Sequence, residues 1–169
     1  MTQTRSERSR TYSWTDPAEH AAMMGSRSGL DLLQAMAAGE LPAPPVMHLI
    51  DMAGLEVEEG SVTVHLDPQE FHYNPLGTVH GGVLSTLLDT AAACSVHTTL
   101  PAGVGYTSLD LTVKFLRPVT VASGRITTRG AVLQRGRRTA LAEARMTDAA
   151  GRLVAHATSS CLIFEAPGT

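Results

Sequence analysis

The run Val79-His80-Gly81-Gly82-Val83-Leu84-Ser85-Thr86-Leu87-Leu88-Asp89 gathers residue types that could do chemistry together: a histidine, two adjacent glycines and a lone acid. The glycines lead into an apolar run with helical periodicity. Glycine at a helix start lets the backbone come close to a bound group, and first-turn N–H groups have no partner inside the helix. With the positive end of the helix dipole, those donors suit a developing oxyanion. Asp89 is the only Asp, Glu, Lys, Arg or His between His80 and His97, so it stands alone as a candidate base. Eight helical residues rise roughly 12 Å, too far for Gly81 and Asp89 of one chain to reach the same carbon. Acting on one substrate, they must come from two copies of the chain. The spacing therefore predicts a site shared across a dimer interface.

The elements that position these residues can be read in outline. A chain of 169 residues is long enough for one domain with a real core. Residues 1–45 read as an arm: a polar start (Thr4–Arg10), expected to be disordered, then one helix from about Asp16 to Ala38. Gly39 ends that helix, and Pro42, Pro44 and Pro45 forbid its resumption. Residues 46–165 read as the main domain, opening with a short helical turn over Val46–Met52. Leu55–Glu58 and Ser61–Leu66 flank Glu59-Gly60 as a hairpin, and Asp67–Gly77 is a loop. The long helix runs from Gly81 to about Thr99. The period then switches to two, with Thr107, Leu109, Leu111, Val113 and Phe115 facing one way along a single strand. Three more strands follow over Arg125–Gln134, Thr139–Thr147 and Leu153–Phe164, joined by hairpin turns. This is an α+β plan, and the economical arrangement is a curved antiparallel sheet wrapped around one long central helix.

Composition removes several function classes. No run approaches the length of a membrane span, and the first thirty residues lack a signal-peptide core, so a cytoplasmic setting is expected. Cys94 and Cys161 read as free thiols, and no Cys/His spacing resembles a metal site. The net charge of −3 conceals an asymmetry: no Lys or Arg occurs from Ser28 to Val113, whereas cations dominate from Lys114 to Arg152. An acidic chain with a basic half argues against general nucleic-acid binding but permits a local site for a polyphosphate.

Asn74-Pro75-Leu76-Gly77-Thr78-Val79-His80-Gly81-Gly82, then Asp89, then Ser108-Leu109-Asp110-Leu111 running into Phe115-Leu116-Arg117-Pro118, resembles the hotdog-fold acyl-CoA thioesterases. The likeness is strongest to the phenylacetic-acid-degradation (PaaI-type) branch related to 4-hydroxybenzoyl-CoA thioesterases, and it covers roughly Val46 to Phe164. It implies hydrolysis of an acyl-CoA to free acid and CoA, with no cofactor beyond the CoA of the substrate. It also implies a homodimer as the minimal active unit, with dimers pairing into a homotetramer.

By position, the resemblance makes Asp89 the base on water or the direct nucleophile, and Gly81 the backbone donor to the thioester carbonyl. Asn74 is the loop amide that positions water or thioester, and His80 orients the thioester or its loop. Ser108 supplies a hydroxyl beside the acid, with Thr107 competing for that place. Gly82 and Thr107 join the substrate contacts. Arg135, Arg137 and Arg138, clustered on one hairpin turn, are the expected partners of the CoA phosphates, with Lys114 and Arg117 next in line. Alternative readings weigh on single residues: Asn74 as an Asx-turn residue before Pro75, Gly81 as a tight helix entry, His80 as a structural hydrogen-bonder. The 4-hydroxybenzoyl-specific pattern of a hydroxyl one turn after the acid is missing, since that place is Ala93. Two other functions compete. An acyl-thioester dehydratase or hydratase would place its histidine differently, and a non-catalytic acyl-CoA-binding sensor would carry a basic recognition helix that Thr2–Pro45 lacks.

Overall fold

Val62, Val64 and Leu66 alternate with Ser61, Thr63 and His65, the pattern of a strand with one buried face, and that buried face lies against a helix. The computed structural model describes residues 7–23 and 26–165. Three short helices come first: α1 (Pro17–Met23), α2 (Gly29–Ala37) and α3 (Pro45–Leu49). The hairpin β1 (Met52–Glu58) and β2 (Ser61–Leu66) follows, then the long α4 (Gly81–His97). The chain continues through β3 (Val104–Ser108), β4 (Thr112–Phe115), β5 (Ile126–Arg135), β6 (Thr139–Thr147) and β7 (Leu153–Glu165). The sheet order is β1-β2-β5-β6-β7-β3, with β4 also on β7, and all the pairings are antiparallel. One edge of the sheet is therefore β1, and the other is shared by β3 and β4.

The sheet wraps α4 as expected. Leu84, Leu87, Leu88, Ala91, Ala92 and Val96 are all buried, so the helix is enclosed around most of its circumference. The alanines let the strands come close. At Gly130 on β5 a Cβ would lie 2.1 Å from the Ala91 carbonyl oxygen, so strand and helix meet backbone to backbone. Ser95 fixes that seat: its hydroxyl donates to Ala91 O at 2.7 Å and accepts the Val62 N–H of β2 at 3.0 Å.

Two expectations are corrected. The single helix over Asp16–Ala38 is two, because Ser28 starts α2 afresh by accepting the Asp31 N–H at 3.1 Å. The single strand over Thr107–Phe115 is broken into β3 and β4. Ser108 pairs with Cys161 and Thr112 with Thr158, so three residues on one side face two on the other. This is a bulge, and one extra residue reverses which side chains point inward. Asp110 closes it: its backbone carbonyl accepts the Ser159 hydroxyl and its carboxylate accepts the Ser160 N–H. Part of the stretch expected to be disordered, residues 4–6, lies outside the described residues. Arg10, by contrast, is docked, donating to the His48 and Leu49 carbonyls at the end of α3 and lying 4.1 Å from the Phe71 ring centre.

Candidate active site

The loop before α4 closes on itself. Asn74 accepts the Leu76 N–H at 2.9 Å and the Thr78 N–H at 3.3 Å through its carbonyl oxygen, and its amide donates to Thr78 Oγ1 at 3.0 Å. This is the Asx turn that its place before Pro75 allowed. Gly77, at φ +76°, completes the turn where a side chain would be strained. The loop is anchored from below by His72, which is buried. Its Nε2 donates to the Ile50 carbonyl at 2.8 Å and its Nδ1 accepts the Gln69 N–H at 3.0 Å. Burial pushes its pKa down, which keeps this neutral tautomer. The His72 carbonyl in turn accepts the His80 N–H at 2.8 Å.

His80 caps α4, its Nδ1 accepting the Gly82 N–H at 2.8 Å. Gly82's donor is thus occupied. Among the described residues the Gly81 N–H has no acceptor, and Gly81 lines a cavity of about 340 Å³ with Asn74, Thr78, Phe115 and Arg117. The Phe115 ring lies so close over Gly81 that a Cβ there would sit 3.0 Å from Cζ. The donor is free because first-turn N–H groups have no intrahelical acceptor and the His80 cap takes Gly82 instead; glycine lets the Phe115 ring pack against that helix end.

Two turns along α4, the half-buried Asp89 accepts the Ser108 hydroxyl at 2.9 Å on Oδ1. Ser108, not the exposed Thr107, meets the acid, because the regular alternation of β3 puts Ser108 on the same face as Tyr106 before the bulge begins. Asp89 and Ser108 stand between two cavities. One, about 390 Å³, has a mixed lining and opens at the sheet edge beside Ser85, Thr86, Asp110 and Leu111. The other, about 310 Å³, runs under α2 and α3 to Leu33, Met36 and Met47, with Ala93, Cys94 and Tyr106 opposite. Neither shares a residue with the Gly81 cavity. Within one chain, then, Asn74, His80 and Gly81 form one group and Asp89 and Ser108 another.

Burial pushes the Cys94 thiol up to about 11, which disfavours the thiolate form, and Tyr106 Oη lies 3.9 Å from its sulfur. Among the described residues no three His, Cys, Asp or Glu side chains come together as a metal site. Arg137 and Arg138 line a surface cleft with Val104, Phe164 and Glu165, apart from the cavities around Gly81 and Asp89, and Arg135 is exposed at the end of β5. Arg117 lines the Gly81 cavity itself and donates to the Leu153 carbonyl. Tyr106 and the arm residues were missed in the sequence. Tyr106 carried a usable signal, two residues before Ser108 on the same face of one strand. Met36 and Met47 carried none, since only the tertiary fold brings them to Asp89.

Comparison with known proteins places this architecture. The profile of the Thioesterase superfamily matches residues 76–155, which span the Gly81 helix, the bulge and most of the sheet. A phenylacetic acid degradation-related protein of Ralstonia eutropha JMP134 superposes with a TM-score of 0.69 at 30% identity, over 77% of this chain and 98% of that one. A point mutant of the phenylacetic acid degradation protein PaaI of Thermus thermophilus gives 0.64 at 28% identity, over 70% and 98%. Human acyl-coenzyme A thioesterase 13 is 29% identical over 97 residues, covering 57% of this chain and 68% of that protein. No helix among the described residues is long and apolar enough to cross a membrane. With its helix-wrapping sheet and these relatives, the chain belongs to the thioesterase superfamily as a hotdog-fold thioester hydrolase.

Proposed function

We propose that this chain hydrolyses acyl-CoA thioesters at a site built by two copies, Gly81 from one and Asp89 with Ser108 from the other. The CoA part rests on the likeness to acyl-coenzyme A thioesterase 13. The observation that carries the shared site is the separation of the two groups: the free Gly81 donor and the Asp89–Ser108 pair open into different cavities of one chain. The Asp89 cavity lies beside the β3/β4 edge, which has no partner strand among the described residues and where a second copy could bring its Gly81 loop. Exposed Leu109, Phe115 and Leu116 at that edge, and Leu76 in the loop, supply apolar surface for such a contact.

In this arrangement the thioester carbonyl oxygen accepts the Gly81 N–H. Asp89 takes a proton from water as the water oxygen bonds to the carbonyl carbon. The oxyanion collapses, the C–S bond breaks, and the proton passes from Asp89 to the leaving thiolate, giving acid and CoA. Direct attack by Asp89 Oδ2 would instead expel the thiolate to form an anhydride, which water then opens. Both routes need the same geometry, with Ser108 holding one carboxylate oxygen and leaving the other for the reaction.

Mixing two inactive chains tests the shared site. Asp89→Asn and Gly81→Pro chains, refolded together in equal amounts, should regain about a quarter of wild-type thiol release, since half the dimers are mixed and hold one intact site of two. Mixed dimers that form and stay as inactive as their parents would place a complete site in each chain.

A further inference from the structure

We propose that the N-terminal arm, together with α3 at the start of the main domain, selects the acyl group: α2 and α3 wall off an apolar pocket ending at Asp89, which admits compact acyl groups and excludes long chains. This rests on the thioester-hydrolase reading and specifies its substrate. The wall is formed by Leu33 and Met36 of α2 and Met47 of α3, facing Ala93 and Tyr106, with Asp89 and Ser108 at the mouth. An acyl carbonyl held at Asp89 would direct its chain into this pocket, the more apolar of the two cavities that meet at the acid.

The wall is fixed in place. Leu32 and Leu33 are buried, and the Gly29 N–H donates to the Leu100 carbonyl at 3.0 Å. A Cβ at Gly29 would fall 1.9 Å from the His97 carbonyl oxygen, so α2 rests with its backbone directly on the end of α4. The arm therefore sets the depth of the pocket. Its volume of about 310 Å³ stands at the small end for ligand sites. A cavity of about 150 Å³ holds one benzene ring, so this one suits a single aryl ring with its side arm or an alkyl chain of roughly ten carbons. A sixteen-carbon chain exceeds it.

The test measures thiol release from acetyl-, octanoyl-, benzoyl- and hexadecanoyl-CoA. Wild-type kcat/KM should rise by about fourfold per buried methylene up to medium length, then collapse for hexadecanoyl-CoA. Met36→Ala and Met47→Ala should move the optimum to longer chains, mainly through KM, whereas Ala93→Leu, which fills the pocket from α4, should move it to shorter ones. Gln34→Ala, on the exposed face of α2, should leave the profile unchanged. A profile that stays the same in both methionine variants and in Ala93→Leu, while thiol release continues, overturns the assignment of the arm. Absence of thiol release from every CoA ester in the wild type would instead overturn the acyl-CoA reading itself.

Discussion

Asp89 gives one carboxylate oxygen to Ser108 and leaves the other without a partner among the described residues, a division of labour that suits a base or a nucleophile. Asp89→Asn should fold and bind acyl-CoA but lose about 10²–10⁴ in kcat, the usual contribution of a positioned base. Turnover within threefold of wild type would remove Asp89 from the chemistry. Gly81→Pro isolates the other group. Proline is tolerated at the first helical position, where it removes the N–H, and His80, at φ −60° and ψ 134°, already has the backbone a following proline demands. The proline Cβ, 3.0 Å from Phe115 Cζ, asks that ring to give way by a few tenths of an ångström. The loss expected is about 10²–10³ in kcat, that of one oxyanion donor, with an unchanged helical circular-dichroism signal. Asp89 was legible in the sequence because a single charge on an otherwise apolar helix is costly without a task. Asn74 was not: its type and its place before Pro75 fit a substrate contact and a loop closure equally. The structure shows closure, with its oxygen holding two backbone N–H groups.

The elements add what residue types cannot. Periodicity located α4, the β1–β2 hairpin and the strands β5 to β7, because each buries one regular face against the next. It failed at Leu109–Leu111, where the Asp110 bulge breaks the alternation that put Thr107 on one face with Val113 and Phe115. It failed again at the arm, where Ser28 restarts a helix within an apolar pattern that continues past it. His72 ties the loop before α4 to the C-terminal end of α3, and its protonation should loosen that tie. Its folded pKa is lowered, first by burial, below the ordinary histidine value of 6.5. Above 6.5 the imidazole is neutral in both states and its full contribution is present. As pH falls below that value the unfolded chain takes the proton first, and stability is lost through the lowered folded pKa. Melting temperatures between pH 7 and pH 5 should therefore fall more steeply in wild type than in His72→Gln. The variant should itself be less stable at pH 7 by about 1–3 kcal/mol, the cost of disturbing a buried hydrogen-bond pair. Parallel slopes in the two proteins would show that His72 carries no part of the pH dependence.

At the scale of the whole molecule, the curved sheet encloses most of α4 yet leaves the candidate catalytic groups in two separate places. The proposed pairing of copies along β3/β4 makes one site of them. Leu116→Asp would put a charge among the exposed apolar side chains at that edge. It should give a particle of half the wild-type mass by light scattering and lower thiol release by at least about 10²–10³, the contribution of the missing donor. A full-sized, active Leu116→Asp protein would move the interface elsewhere. The helical spacing of Gly81 and Asp89 called for two copies, whereas strand periodicity fixes the faces of a sheet and says nothing about which edge would bring them together. That edge also bears on how the protein survives in solution. An unpaired strand with exposed Leu109, Phe115 and Leu116 beside it is a template on which foreign strands can add. Association with a second copy would cover it, so the contact that completes a catalytic site also guards against aggregation. Substitutions that part the two copies should then show first as precipitation on storage, well before the isolated fold melts.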